Sequence, residues 1–505
     1  MSTYVVAFAI TDYDFIESQS SNNVSIRFWA PKENLSTEIL EGTRRSLELF
    51  ENLLHYDYPL EKLDVLSLPP YLGSRTIGME NWGLITINET YLNEINEKPS
   101  SMRENAGFPA GITGNDECYV VAHEVAHMWF GNLITPKDWK DLWLSEGVTS
   151  FFHAHACERE DEENVARSSL GNGKNWWRQD MGPNPKYDGP LRINVEEEED
   201  VKKQLNMAQY LKGAGITNMI KAVVGPEKFM AGIRKYIRHY AFKNVDTEDF
   251  VNSLDPRLVD FVDSWTQQPG YPVLDVQRAY DAEGTVEISQ RPYPSEQVEE
   301  EARWDIPFTV ANQPKDNATE NGTITAREIH WLRTTNQAPL MMELTAESEE
   351  WIVIDPDADG FYTINYDEKN WHLIIDQLES DREVFSPHLR MRLLRDAWHL
   401  TQKDLLSPAI CLRLLSSLGS EDNEAIWDQA YAVFEYFIKN TDTTPFGHRL
   451  HAMIRSVIDE RMGRSGENGL TKSQRKLACL GRHEICYQKT PWLEDVAKFL
   501  QEYGS

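Results

Sequence analysis

Val120-Val-Ala-His123-Glu124-Val-Ala-His127-Met-Trp-Phe130, and the later Asp141-Leu-Trp-Leu-Ser-Glu146-Gly147, are the two stretches whose reading decides the fold. The first is apolar apart from its histidines and glutamate, so it reads as a buried helix, expected over 116–130 with Asn115 or Asp116 at its cap. His123 and His127 stand at i and i+4. On a helix they lie one turn apart on one face, where both imidazoles reach one metal ion. Glu124 lies beside them, placed to take a proton from a water that the ion activates. The pattern fixes only three residue types and also describes a helix with two surface histidines. Two features argue against that reading: buried histidines need partners, and a third ligand is on offer. Glu146 follows His127 by 19 residues in a second apolar helical segment, and a two-helix hairpin would fold it back. Three protein ligands and one open position are what a catalytic zinc ion wants.

Outward from this centre, residues 3–10 and 24–30 read as strands, and a helix capped by Asn34 or Ser36 carries Leu40, Leu47, Phe50 and Leu54. Strands are expected at Leu63–Leu68 and Gly83–Asn88, with Ile77–Trp82 as the loop between them. Downstream, 165–200 reads as a long irregular loop, and helices are expected at 205–224, 226–240 and 247–267. At Pro269-Gly-Tyr-Pro272 the composition turns strand-like as far as Tyr366, with turn residues every 8–12 positions, which suggests a small β-sandwich. From Trp371 onward the pattern is helical.

The chain has 505 residues, more than one core holds, and a net charge of −31. That charge excludes a nucleic-acid partner, which needs a basic face. The acidic runs Glu196–Asp200 and Glu299–Glu301 read as solvated loops. No apolar run reaches the roughly 18 residues that span a bilayer, and the first ten residues lack the basic start and cleavage site of a signal peptide. Cys118, Cys157 and Cys411 read as buried apolar residues, while Cys479 and Cys486 are close enough in sequence for a short loop or for none. Sequons at Asn23, Asn34, Asn88, Asn317 and Asn321 weakly favour a secretory history.

With these residues in hand, the chain resembles the gluzincin zinc aminopeptidases of the aminopeptidase N type. Their signature of His-Glu-x-x-His, eighteen residues and Glu is met by His123–His127 and Glu146. Tyr210-Leu-Lys-Gly-Ala214, Trp265–Val273, Trp304–Pro307 and Gly360–Tyr366 look like further family motifs. The resemblance implies an α+β multidomain fold with a thermolysin-like zinc catalytic domain over 32–271. It also implies a β-sandwich over 272–366 and a shortened, all-helical, solenoid-like domain over 367–505. Residues 1–31 would be remnant strands of an N-terminal β-domain.

It implies one Zn2+ per chain on His123, His127 and Glu146, and a zinc-bound water that attacks the first peptide bond of a peptide with a free N-terminus. Glu124 would be the base and Tyr210 the oxyanion donor. Gly78-Met79-Glu80-Asn81 is similar to the family's exopeptidase motif, in which the Glu80 carboxylate would hold the α-ammonium group. The resemblance further implies a Cys479–Cys486 disulfide and an extracellular or cell-surface location, and offers Asp141 as a partner for a zinc histidine. Without the family, Tyr210 reads as a packed helix residue and Glu80 as a solvated loop residue.

The match breaks in three places. Ile77-Gly78 stands where the family has Gly-Ala. The stretch Asp188–Arg192 departs from the family's substrate-contacting segment. Only the last strands of the N-terminal β-domain match, and that domain supplies a second polar residue to the amine site. An alternative reading is therefore a catalytically impaired, zinc-containing ectodomain that binds peptides. A third is a hydrolase of another substrate, such as an epoxide, which no residue here selects. Oligomeric state is not legible.

Overall fold

The computed structural model describes residues 2–69, 77–89, 116–163, 189–280, 284–295, 298–313, 328–335, 338–343, 346–441, 445–465, 474 and 477. The expected disulfide, the sequons at Asn317 and Asn321, cap residue Asn115 and most of the loop expected over 165–200 lie outside them. The fold is mixed α and β and divides into two compact units. One comprises Met1–Ile374 with Glu383–Leu389, the other Ile375–Arg382 with Arg390–Ser505.

The first unit opens with a five-stranded sheet built from β1 (Asp14–Gln19), β2 (Ser25–Ala30), β3 (Lys62–Leu68), β4 (Gly78–Met79) and β5 (Leu84–Asn88). Their order is β1-β2-β3-β5-β4. The β2–β3 and β3–β5 pairs are parallel, while β1 and β4 run antiparallel at the two edges. Strand β2 alternates inside and outside, burying Ile26, Phe28 and Ala30, as a half-buried strand must. Helix α1 (Thr37–Leu54) covers this sheet. Ser36 is its cap, its hydroxyl accepting from the Ile39 N–H at 3.3 Å, and Leu40, Leu47, Phe50 and Leu54 are buried as expected.

Two expectations fail here. Residues 3–10 are not a strand. A single 3-10 turn occupies Thr3–Val5, and Phe8 and Ile10 are 88% and 94% exposed. The alternation is real, but among the described residues no neighbouring strand pairs with it, and an unpaired strand has nowhere to place its backbone hydrogen bonds. One bond, from the Trp82 N–H to the Val5 carbonyl at 2.9 Å, ties the turn to the segment after β4. The loop expected at Ile77–Trp82 contains strand β4, because Gly78 and Met79 pair with Ile87 and Thr86.

Helix α2 (Asp116–His127) ends three residues earlier than expected, in a turn through Gly131, whose φ of +113° suits glycine alone. A short strand β6 (Ile134–Pro136) leads into α3 (Trp143–Glu163). Then come α4 (Glu198–Gln204), whose first three residues lie in the segment expected to be loop, α5 (Met207–Val224) and α6 (Pro226–Tyr240). Strand β7 (Lys243–Val245) pairs in parallel with β6. The single helix expected over 247–267 is α7 (Thr247–Leu254) and α8 (Val259–Thr266), separated at Pro256 by a 3-10 turn capped by Asp255. Proline lacks the N–H that a helix interior requires.

The strand-rich stretch follows as expected. Strands β8 (Pro272–Arg278), β9 (Thr285–Pro292), β13 (Leu340–Glu343) and β15 (Thr363–Tyr366) form a sheet in the order β13-β9-β8-β15, in which β15 and β8 are parallel. Strands β10 (Ile306–Phe308) and β12 (His330–Leu332) make one two-stranded ladder. Strands β11 (Val310–Asn312) and β14 (Ile352–Ile354) make another. Trp265, at the end of α8, donates its indole N–H to the Asp305 carbonyl at 2.8 Å, joining the helices to these strands.

Helix α9 (Glu368–Ser380) runs across the division between the units. The second unit is helical among the described residues, with most of α10 (Pro387–Gln402), then α11 (Pro408–Ser416), α12 (Glu424–Thr441) and α13 (Pro445–Ser465). Its core includes Leu394, Leu400, Leu414, Trp427, Phe434 and Ile454. Among the described residues no helix is long and apolar enough to cross a membrane.

Candidate metal centre and active site

Helices α2 and α3 form the expected hairpin. The Nε2 atoms of His123 and His127 lie 3.0 Å apart, and Glu146 Oε2 is 3.4 Å from the first and 3.3 Å from the second. The helical repeat aims the two imidazoles, and the first turn of α3 supplies the carboxylate.

The His127 ring is oriented from behind. Its Nδ1 lies 3.0 Å from the Phe130 carbonyl, with Thr149 Oγ1 at 3.2 Å and Ser145 Oγ at 3.3 Å. A carbonyl oxygen can only accept, so Nδ1 carries a proton and Nε2 faces its partners. His123 Nδ1 meets His153 Nδ1 at 2.9 Å. Asp141 does not fill that place. It is fully buried but accepts from the Thr247 hydroxyl at 2.7 Å and the Thr247 N–H at 3.3 Å, and it pairs with Arg192. Sequence reasoning missed His153, although a signal existed: it follows Glu146 by seven residues, two helical turns along the same face of α3.

Burial sets the protonation states. It opposes charge on His127, but the carboxylates of Glu80 and Glu146 raise that imidazole to about 10. For Glu146 the attraction of His127 overcomes burial and lowers the carboxyl to about 2. Burial pushes His123 down. Glu124 is pushed well up, by burial first and then by Glu80 and Glu146, with His127 acting against them.

A divalent cation fits this donor set. Two imidazole nitrogens and a carboxylate oxygen lie within 4.8 Å of one another. Glu146 Oε2 and Glu124 Oε2 are both buried and accept no hydrogen bond from protein. A buried carboxylate oxygen in that condition is costly unless a cation or water meets it.

The remaining expected residues converge on the same place. Tyr210, on α5, stacks on His123 with ring centroids 5.7 Å apart, and its phenol lies within the electrostatic reach of Glu146. Burial and the surrounding carboxylates push that phenol up, so it stays a proton donor. Glu80 is buried and shares a second close group with Glu124 and His127. Its backbone carbonyl accepts from Asn132 Nδ2 at 2.7 Å. Gly78 lies against Glu124: a Cβ there would sit 2.2 Å from Glu124 Oε1. Met79 pairs with Thr86, and Asn81 Nδ2 reaches the Thr86 hydroxyl at 3.4 Å.

Tyr4 was not foreseen. From the 3-10 turn it donates its hydroxyl to Glu80 Oε1 at 2.7 Å, and its ring packs on Trp139 at 5.4 Å. No local pattern marks it, because 76 residues separate it from its partner.

The chain is similar over most of its length to known proteins. Residues 38–267 match the Peptidase family M1 domain, and residues 351–491 match the ERAP1-like C-terminal domain. Glutamyl aminopeptidase of Bitis rhinoceros is 30% identical over 454 residues, covering 86% of this chain and 44% of the relative. Glutamyl aminopeptidase of Sus scrofa is 30% identical, covering 87% of this chain and 45% of the relative. Aminopeptidase N of Haemonchus contortus is 26% identical over 492 residues, covering 91% and 47%. The chain thus spans about half the length of the curated relatives it matches.

Proposed function

We propose, for a chain that belongs to peptidase family M1, the activity of a zinc-dependent aminopeptidase that removes N-terminal residues from peptides, in a domain of thermolysin-like architecture. The observation that carries this reading is the pair of close donor groups that share His127, one with His123 and Glu146 and the other with Glu80 and Glu124, beside which Tyr210 stacks on His123.

Zinc held by His123, His127 and Glu146 supplies Lewis acidity, which lowers the pKa of water and polarises a carbonyl. The chain's own residues do the rest. Glu124, buried and with a free carboxylate oxygen, takes the proton of the attacking water and passes it to the leaving amine. Tyr210 donates its hydroxyl to the oxyanion that forms at the scissile carbon. Such a donor acts where charge develops, and removing one costs about 10²–10³ in kcat. Glu80 binds the α-ammonium group, which exists only at a chain end, so cleavage is limited to the first residue. Gly78 brings the backbone of β4 close to Glu124, and Met79 and Asn81 shape the edge along which the peptide lies. The relatives named for glutamyl or N-type activity leave the preferred first residue open. The five sequons and the family resemblance support an extracellular or cell-surface location.

The test is to purify the chain, measure bound zinc and assay a panel of aminoacyl-coumarins with free and blocked amines. The reading requires turnover of free-amine substrates only, lost in Glu124→Gln. Bound zinc with no turnover would support the peptide-binding ectodomain instead.

A further inference from the structure

Two glycines meet where the helix bearing Glu146 crosses the helix bearing Tyr210. A Cβ built on Gly147 would lie 2.6 Å from Gly213 Cα, 2.8 Å from the Gly213 carbonyl carbon and 2.9 Å from the Gln209 carbonyl oxygen. A Cβ on Gly213 would lie 2.8 Å from Gly147 Cα. These neighbours are all backbone, so no rotamer change relieves the clash. Neither glycine has positive φ, so proximity, and not backbone conformation, is what requires the missing side chain. Glycine inside a helix otherwise costs stability relative to alanine.

The contact sits in the same turns as the functional groups. Gly147 adjoins Glu146, Gln209 adjoins Tyr210, and Gly213 lies three residues beyond Tyr210. Tyr210 stacks on His123, and Glu146 is near enough for its charge to act on the phenol. The separation of α3 and α5 therefore fixes how far the phenol stands from the metal ligands.

We propose that the Gly147–Gly213 backbone contact is the spacer that seats Tyr210 against His123 and Glu146, which makes Gly213 a positioning residue for the oxyanion donor. This rests on the hydrolytic role given above to Tyr210. A methyl at Gly213 drives the helices apart by about an ångström, and a misplacement of that size costs about 10²-fold in rate. Gly232, on α6, serves as a control. Its Cβ would lie 2.7 Å from Leu254 Cδ2 and 3.1 Å from the Ser253 carbonyl oxygen, a similar crowding between helices that carry no site residue.

The experiment compares Gly213→Ala, Gly232→Ala, Tyr210→Phe and the Gly213→Ala/Tyr210→Phe double variant for zinc content, Tm, KM and kcat. Gly213→Ala is expected to keep its zinc and its KM, to lose about 10²-fold in kcat, and to add nothing to the loss in Tyr210→Phe. Gly232→Ala is expected to lower Tm with kcat within about twofold of wild type, as surface to core spacing changes remote from a site do. Losses that multiply in the double variant, or an equal kcat loss in Gly232→Ala, overturn the proposal. A crystal structure of Gly213→Ala tests it without turnover: the His123–Tyr210 ring separation should exceed 5.7 Å, and an unchanged separation overturns it. If that variant does not fold, Gly147→Ala adds the methyl from the other helix and is read by the same separation. If wild type proves inert, the hydrolytic reading fails, while the ring separation still tests the spacer.

Discussion

Arg390 and Glu421 in the helical unit, and Glu80, Glu124, His127 and Glu146 in the first unit, are both groups of buried charge, finished in different ways. Glu421 is 2% exposed, and both of its oxygens are occupied. Oε2 accepts from Arg390 Nε at 2.8 Å; Oε1 accepts from Arg390 Nη2 at 3.2 Å and from the N–H groups of Asp422 and Asn423 at 2.9 and 2.8 Å. In the other group, one oxygen each of Glu124 and Glu146 accepts nothing from protein. A charge buried for architecture has its lone pairs filled by the chain. A charge buried for chemistry leaves some of them for a ligand.

The largest effect expected from this contrast is on rate. Glu124→Gln should lower kcat by about 10²–10⁴-fold while Tm stays level or rises, since the change removes a buried unpartnered carboxylate. Steady-state assays and calorimetry together check both halves. A large drop in Tm would place Glu124 with the architectural charges. Glu421→Gln should do the reverse, costing about 3–5 kcal/mol by stranding Arg390 with kcat unchanged, as read by denaturant titration.

Metal removal probes the open lone pairs directly. Zinc at a hundredfold excess over its Kd should stabilise the first unit by about 2.7 kcal/mol, visible as a loss of Tm with chelator and its return with zinc. The sign of the pH effect follows from His127, which is raised to about 10 and so holds a proton at neutral pH without metal. Zinc must displace that proton. Calorimetry in buffers of different ionisation enthalpy should therefore detect release of about one proton, with affinity strengthening as pH rises towards that value. The smallest effect lies outside both groups. Gly42, inside α1, would present a Cβ to open space, so Gly42→Ala should add about 0.5–1 kcal/mol and leave kcat alone.

How far the site was legible follows from how each residue is placed. His123, Glu124, His127 and Glu146 announce themselves because ligand geometry maps onto fixed spacings along two helices. Tyr210 and Glu80 needed the family resemblance, since a tyrosine on a helix and a glutamate after a glycine have no chemistry of their own at that spacing. His153 was hidden by habit: the partner of a metal histidine is usually a carboxylate or carbonyl, and that expectation pointed to Asp141, whose Oδ1 is bonded to Thr247 and not to a metal histidine. Tyr4 was hidden by distance along the chain. In the fold, the strand at 24–30 was readable because a half-buried sheet face imposes alternation, and that at 63–68 because a central strand buried on both faces carries apolar residues on both. Residues 3–10 show the limit of that signal, since alternation says nothing about whether a pairing neighbour exists.

That stretch bears on how the protein behaves in solution. Val6, Phe8 and Ile10 stand at every second position and are 63%, 88% and 94% exposed, on a chain of net charge −31. Molecules bearing such a ribbon attract one another at short range, and their common charge holds them apart at longer range. At an ionic strength near 0.15 M that repulsion reaches only about 8 Å. Dilute buffer is therefore the better keeper of dispersed protein, and added salt is the condition under which it should first cloud.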